Sequence, residues 1–225
     1  MIVCVILIEC NIKDGLVLRL RDLEIELQNL EQINEHDVTL EQYPTPASIA
    51  ASILYSAQIE HGDIIGKFVC DLGCGNGIFA IGAALLGAQR VIGVDVQSKA
   101  LKVCQRNLLP RLEIYDTIDW VLGNVPSLEL RVNVDTVVTN PPFGTKKRGA
   151  DLRFLEKAAS IATVVYSIHL AGEKNRIFLR DAIEHLGASI TQIETFEFPI
   201  GRLYDFHKKA KHVIQTDLYR ICTRK

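Results

Sequence analysis

The sequence predicts an α/β protein: a doubly wound seven-stranded sheet, parallel through most of its width and closed by a C-terminal antiparallel hairpin. Three observations carry this expectation. From residue 66 onward, short apolar runs rich in β-branched residues alternate with longer amphipathic ones. That is the pattern of buried parallel strands covered by helices on both faces. A glycine-rich turn, DLGCGNG at 71–77, joins the first such run to the helical run after it. The last two strand-like runs, near 188–198 and 212–222, have no helix between them, so they pair antiparallel at one edge.

The elements follow in order. Residues 16–32 place Leu20, Leu23, Leu27 and Leu30 at three- and four-residue steps with charges between them, which predicts an amphipathic helix. A polar link, NEHD, leads to LEQYPTPASIAASILYSA. Here Thr45 reads as an N-cap with Pro46 at the first helical position. KFVCDLG is then a buried strand and IFAIGAALLGA a helix closed by Gly87. RVIGVDV is the second strand, and SKALKVCQRNLL a helix capped by Ser98. DWVLGNV and VDTVVTN are the next two strands. The helix DLRFLEKAASIA precedes the strand TVVYSIHL, and a helix over 173–186 leads into the hairpin.

Composition narrows the function classes. With 225 residues, 48% hydrophobic and 23% charged, the chain is expected to be a soluble globular protein with a full core. A formal net charge of −2 excludes a protein that coats nucleic acid by bulk electrostatics, so phosphate contacts would need a local basic patch. The six cysteines are irregularly spaced and read as reduced thiols of a nuclear or cytoplasmic protein. Cys70 and Cys74 lack a second cysteine pair, so no metal is expected. The opening run MIVCVILI is far shorter than the roughly 20 residues that span a bilayer. It also lacks the basic start and cleavage site of a signal peptide. It reads as an extra edge strand or a misassigned start, and no membrane partner is expected.

The glycine turn points to a cofactor. Gly73, Gly75 and Gly77 let backbone approach a ligand closely, but such a loop alone is a weak signal. Asp71 inside the motif and Asp95 at the end of the second strand sharpen it. A carboxylate at the latter position can take both hydroxyls of a ribose. The spacing is G-x-G-x-G with an acid before it, where nicotinamide folds have G-x-G-x-x-G and a pyrophosphate. Asp71 suits a cationic ligand and would repel a pyrophosphate. S-adenosylmethionine, with an ammonium, a sulfonium and no phosphate, fits best. Asn124 ends the third strand, where it can bond the adenine.

VVTNPPFGTKK, at 137–147, supplies the chemistry. Pro141 and Pro142 cannot continue a central strand, and the residue before a proline is held extended. Asn140 is thus fixed at a strand end beside the glycine loop, with Phe143 thrown out just beyond it. The Asn140 side-chain carbonyl and the Pro141 backbone carbonyl are both acceptors, able to hold the two hydrogens of a planar amino group. Phe143 can stack on the ring that bears it. The motif predicts methyl transfer to an aromatic or amide NH₂.

These motifs resemble the Rossmann-like class I methyltransferases that carry N-P-P-[FY]. Within them the sequence closely resembles the family of methyltransferase-like protein five, whose members methylate N6 of an adenine in small-subunit (18S) ribosomal RNA. The resemblance runs from about residue 19 to the C-terminus and is carried by LEQYPTP (40–46), DLGCGNG (71–77), NPPFGTK (140–146), VYSIH (165–169) and FHKK (206–209). It implies that Gln42 and Thr45 reach the cofactor from the N-terminal loop. Gly73 and Asn76 would line its methionine end, Asp95 the ribose, and Asn124 with Val125 the adenine; Val96 is a further cofactor-binding candidate. Asn76 stands where the family often has a cysteine, and Asn124 where it often has an aspartate. Residues 1–15 have no counterpart in the family.

The expected organisation is an N-terminal extension over 1–45, with the helix and a cofactor-covering loop, and one methyltransferase domain over 46–225. Lys146, Lys147 and Arg148 after the motif, and Arg202, His207, Lys208, Lys209 and Lys211 between the last strands, are expected to meet RNA phosphates. His169 and His207 read as hydrogen-bonding or substrate-loop residues rather than metal ligands. The resemblance also implies a heterodimer with a small zinc-binding methyltransferase activator subunit. DWVLGNV, an apolar strand with no lysine or proline to blunt it, is the expected docking edge. The main alternative is a glutamine N5-methyltransferase of release factors, which usually has Tyr after the prolines and a larger N-terminal helical domain. A DNA adenine methyltransferase would need a target-recognition region for which there is no room. Intact Asp71, Asp95 and Asn140–Phe143 argue against a non-enzymatic scaffold.

Overall fold

The computed structural model describes residues 18–33, 43–143, 149–200 and 212–223. Its strands are β1 (Phe68–Leu72), β2 (Arg90–Asp95), β3 (Ile118–Leu122), β4 (Val134–Thr139), β5 (Ala162–Leu170), β6 (Ser189–Ile200) and β7 (His212–Cys222). They form one sheet in the order β3-β2-β1-β4-β5-β7-β6. Strands β1 to β5 run parallel, and the β6–β7 hairpin adds antiparallel along β5. The expected seven-stranded sheet is present, with the hairpin where its missing helix put it.

The helices are α1 (Leu20–Gln28), α2 (Ala47–His61), α3 (Ile78–Leu85), α4 (Ser98–Leu108), α5 (Ala150–Ile161) and α6 (Glu173–His185). Two 3₁₀ turns, Leu112–Thr117 and Val125–Ser127, were not legible in the sequence. Strand alternation explains why the central runs are apolar throughout. Val69, Val91, Val138 and Tyr166 meet α1, α2 and α3 on one face. Cys70, Ile92, Val137 and Val165 meet α5 and α6 on the other.

Four local expectations are corrected. Helix α1 ends at Gln28, short of residue 32. Beyond it the chain is captured by Asn107 of α4, whose Oδ1 accepts the Glu31 N–H at 2.7 Å and whose Nδ2 donates to the Glu31 carbonyl at 3.1 Å. Leu30 is buried just past the helix, while Leu20 stays 39% exposed. Pro46, not Thr45, holds the N-cap position of α2, and Gln97, not Ser98, that of α4. The Gln97 N–H is taken by Asp95 at 2.9 Å. Trp120 is not an exposed edge residue. It turns inward over Gly77 and Gly93, where an added Cβ would come within 2.8 and 2.3 Å of its ring. Among the described residues no helix is long and apolar enough to cross a membrane.

Candidate active site

Strand order reverses between β2 and β4 around β1, and ligands of such sheets bind outside the carboxyl ends at that point. Leu72 and Thr139 lie in register there, and the Thr139 hydroxyl donates to the Leu72 carbonyl at 2.6 Å. A cavity of about 460 Å³ opens above them, a volume suited to a small cofactor.

The glycine turn forms one wall. The Gly73 and Cys74 N–H groups donate to the Val94 carbonyl at 2.8 and 2.9 Å, which folds the turn back over the end of β2. Gly73 has φ +76°, and a Cβ on it would stand 3.1 Å from the Phe154 ring. A side chain here would meet both a left-handed backbone and a tight approach to that ring. Asp95 is buried, with Oδ2 accepting from Gly75 N at 2.9 Å and Oδ1 from Gln97 N at 2.9 Å. Burial holds its pKa above the usual carboxylate range. Each oxygen keeps a second acceptor direction, which fits a pair of vicinal hydroxyls. Val96, Asn124, Val125 and Pro126 continue this wall.

Asp71 has a different setting. Its Oδ2 accepts the Ala80 N–H of α3 at 3.0 Å, while Oδ1 is buried without a partner among the described residues. Burial pushes its pKa up to about 8. Asp71 lies beneath the turn rather than among the described residues that line the cavity. Cys74 Sγ lies 3.9 Å from Cys104 Sγ, and both are free thiols. Burial raises the Cys74 pKa further, so it is not an activated nucleophile.

The opposite wall carries Asn140, Pro141 and Pro142. Asn140 Nδ2 donates to the Tyr43 carbonyl and to Thr45 Oγ1, both at 3.0 Å. Its Oδ1 is buried with no partner among the described residues. Such an orphan acceptor costs about 1–3 kcal/mol, and its place in the cavity marks it as a ligand group. Phe143 departs from expectation. It is 9% exposed, stacked on Tyr43 at 5.3 Å and 19° and edge-on to Phe198 at 6.3 Å. Burial between two rings outweighs projection into water, and Tyr43 is the ring of that stack that lines the cavity.

Sequence reasoning missed several lining residues: Gln32, Ile33, Tyr43, Arg153 and Phe154. Asn76 explains the first two. Its Nδ2 donates to the Glu31 carbonyl at 3.3 Å, and its own carbonyl accepts from Asn107 at 3.0 Å. The N-terminal segment is thereby tied to the glycine turn. Gln42, Lys146, Lys147, Arg148, Arg202, His207, Lys208, Lys209, Lys211 and residues 1–15 lie outside the described residues. His169 is buried, with Nε2 2.8 Å from Ser167 Oγ and Nδ1 3.8 Å from Asp151. Although burial opposes it, His169 helps hold the Asp151 carboxyl below its ordinary pKa. No cluster among the described residues could hold a metal ion.

Comparison with known proteins places this geometry. Residues 53–140 match the family of ribosomal protein L11 methyltransferases (PrmA); the match spans the glycine turn and Asp95 and stops at Asn140. The rRNA N(6)-adenosine-methyltransferase Mettl5 of Drosophila melanogaster is 38% identical over 90% of this chain and 96% of its own length. The corresponding protein of Danio rerio is 35% identical over 90% and 98%. A crystal structure from Pyrococcus horikoshii, described as a candidate RNA methyltransferase, superimposes with a TM-score of 0.84 at 38% identity, covering 92% of this chain and 98% of that one. With identity of this extent and a shared seven-stranded class I methyltransferase fold, the chain belongs to the Mettl5 family of rRNA N(6)-adenosine-methyltransferases.

Proposed function

We propose that this protein transfers a methyl group from S-adenosylmethionine to N6 of an adenine in small-subunit (18S) ribosomal RNA. The observation that carries the reading is the Asn140 carboxamide, whose NH₂ is spent on the protein and whose Oδ1 is buried with no partner among the described residues. An acceptor held this way, beside the Pro141 carbonyl, matches an exocyclic amino group, which brings two donors. Taking both hydrogens in fixed directions orients the nitrogen lone pair and draws the nitrogen towards sp³ geometry. The Tyr43–Phe143 stack gives the base an aromatic surface at the same wall. When bound, S-adenosylmethionine supplies a methyl on a sulfonium, an electrophile strong enough that no tuned general base is needed. The residues present fit it: Asp95 for the ribose hydroxyls, Val96, Asn124 and Val125 for the adenosine end, and Gly73 to Gly77 with Asn76 for close backbone approach. Thr45, and Gln42 three residues before it in sequence, are the cofactor contacts that the N-terminal loop supplies in this reading.

Lys146, Lys147, Arg148, His207, Lys208 and Lys209 hold the RNA phosphates in this reading. Their support is sequence placement: one cluster follows the catalytic motif and the other joins β6 to β7. A small zinc-binding activator subunit docks on the β3 edge, and the enzyme works in the nucleus or cytoplasm, where ribosomal RNA is found. A protein glutamine N5-methyltransferase is the second reading, because a side-chain amide also offers an NH₂ to Asn140. Methylated adenines should be mapped in total rRNA with and without the gene. Loss of one small-subunit site is the expected result. Unchanged rRNA with loss of a methylated glutamine would overturn the RNA reading.

A further inference from the structure

We infer that Thr45, together with the Tyr43 carbonyl, is a positioning residue that decides which end of the Asn140 amide faces the substrate. This deepens the function proposed above and rests on it. The two ends of an asparagine amide are nearly the same size, so shape alone does not choose between them. The choice matters, because a flipped amide would offer hydrogens to an amino group that also offers hydrogens. The sheet supplies no selector: Thr139, the last residue of β4, spends its hydroxyl on the Leu72 carbonyl. The selector comes from a segment 95 to 97 residues earlier in the chain.

Tyr43 contributes a main-chain carbonyl, which can only accept. At 3.0 Å it can face only Nδ2. Thr45 Oγ1, also at 3.0 Å, takes the second hydrogen. A hydroxyl could serve either orientation, so Tyr43 makes the selection and Thr45 completes it. Flipping the amide would set two oxygens against each other at Tyr43 and forfeit that bond, with the Thr45 hydroxyl left to donate in place of accepting. The segment is itself held. Pro44 and Pro46 fix two of its φ angles, the Pro46 carbonyl accepts the N–H of Ala50 in the first turn of α2 at 2.9 Å, and the Tyr43 ring is stacked on Phe143. The position is 8% exposed, so water is a poor substitute for the hydroxyl. As an acceptor from Asn140, Thr45 keeps its own hydrogen for the cofactor, and the test must separate the two roles.

The probes are Thr45→Val, which keeps the shape and loses the hydroxyl, and Thr45→Ser, which restores it. With saturating S-adenosylmethionine and rRNA, Thr45→Val should lower kcat by about tenfold or more, over and above any loss of cofactor affinity read by calorimetry. Thr45→Ser should recover most of the loss. In an Asn140→Ala background, Thr45→Val should have no further effect on residual turnover, since the two act through one bond. An independent readout needs no substrate: the Asn140 side-chain NH₂ signals in a ¹⁵N spectrum of the full chain. Both hydrogens should exchange slowly in the wild type, and one should exchange faster in Thr45→Val. Absent rRNA methylation by the wild type would sink the functional reading and leave this spectral test standing. Weakened cofactor binding at unchanged kcat, a second loss of turnover in the Asn140→Ala background, or fast exchange of both wild-type hydrogens would overturn the inference. If Thr45→Val does not fold, the wild-type exchange rates and the Thr45→Ser kinetics decide it.

Discussion

Two carboxylates bracket the cofactor wall and do different work. Asp95 lies open to the cavity with both oxygens oriented by N–H groups, whereas Asp71 is shut beneath the turn against the start of α3. Asp95→Ala should therefore weaken S-adenosylmethionine binding by roughly 1.5–3 kcal/mol in calorimetry. Asn140→Ala should leave that affinity near wild type and nearly abolish methyl transfer. Equal cofactor affinity in the Asp95 variant would remove the ribose assignment. Asp71 gives a pH signature. Its carboxyl titrates near 3.8 when unfolded and is pushed up to about 8 by burial in the fold. Between those values the folded chain keeps a proton that the unfolded chain has released. Its contribution to stability is full below pH 4 and falls as pH rises to about 8. Urea midpoints of the wild type should decline over that window relative to Asp71→Asn; parallel curves would contradict the buried, protonated state. The strand-end placement of both acids was legible, because the apolar runs of β1 and β2 lead straight into the turns after them. The hydroxyl of Thr45 and the amide of Asn107 were not. Their partners, Asn140 and Glu31, lie 95 and 76 residues away, and no local pattern encodes such a bond.

At the level of elements, the strands were the easiest to read, because both faces of the sheet are covered and each central strand is apolar along its length. Helix ends were the hardest. Thr45 and Ser98 have the right chemistry for caps, yet the Thr45 hydroxyl oxygen accepts from Asn140 Nδ2 and Asp95 accepts the Gln97 N–H at the start of α4. Tertiary partners outbid local propensity there. The glycine turn tests the same idea by substitution. Gly77 has φ +86° and a Cβ would stand 2.8 Å from the Trp120 ring and 3.2 Å from Cys104 Sγ; Gly75 has φ +56° and open space. Gly75→Ala should cost about 1–2 kcal/mol from the left-handed backbone alone. Gly77→Ala should cost about 1–3 kcal/mol more, because the indole must shift in a packed site. Urea unfolding followed by Trp120 fluorescence checks the order; equal losses would mean that the indole yields freely.

The whole molecule has two sheet edges, and they are treated differently. Strand β6 ends one side, and Pro199, Glu194 and Glu197 within it blunt an added strand. Strand β3 ends the other and, among the described residues, pairs with β2 alone. Its one charge, Asp119, is bound to Arg90 of β2 at 2.8 Å. Apolar side chains stand out around it: Leu122 is 60% exposed, Leu112 78%, Leu109 58% and Tyr115 46%. The sequence pointed to this edge through Trp120, Val121 and Leu122, but the fold withdraws Trp120 onto Gly77 and Gly93 and packs Val121 against the second core. The surface left for a partner is Leu122 with the 3₁₀ turn at Leu112–Thr117. A strand laid along β3 would satisfy its open backbone groups and cover those side chains. Val121→Asp would confound binding with folding, so Leu122→Asp and Leu112→Asp are the cleaner probes. Each should leave the melting temperature of the lone chain within about 2 °C. Each should also reduce co-purification with a co-expressed activator subunit by about tenfold or more. Co-expression with the unmodified chain should raise soluble yield, since an open apolar edge invites self-association. Full activity and solubility of the lone chain, or a complex indifferent to both charges, would show that this edge is closed by something other than a partner.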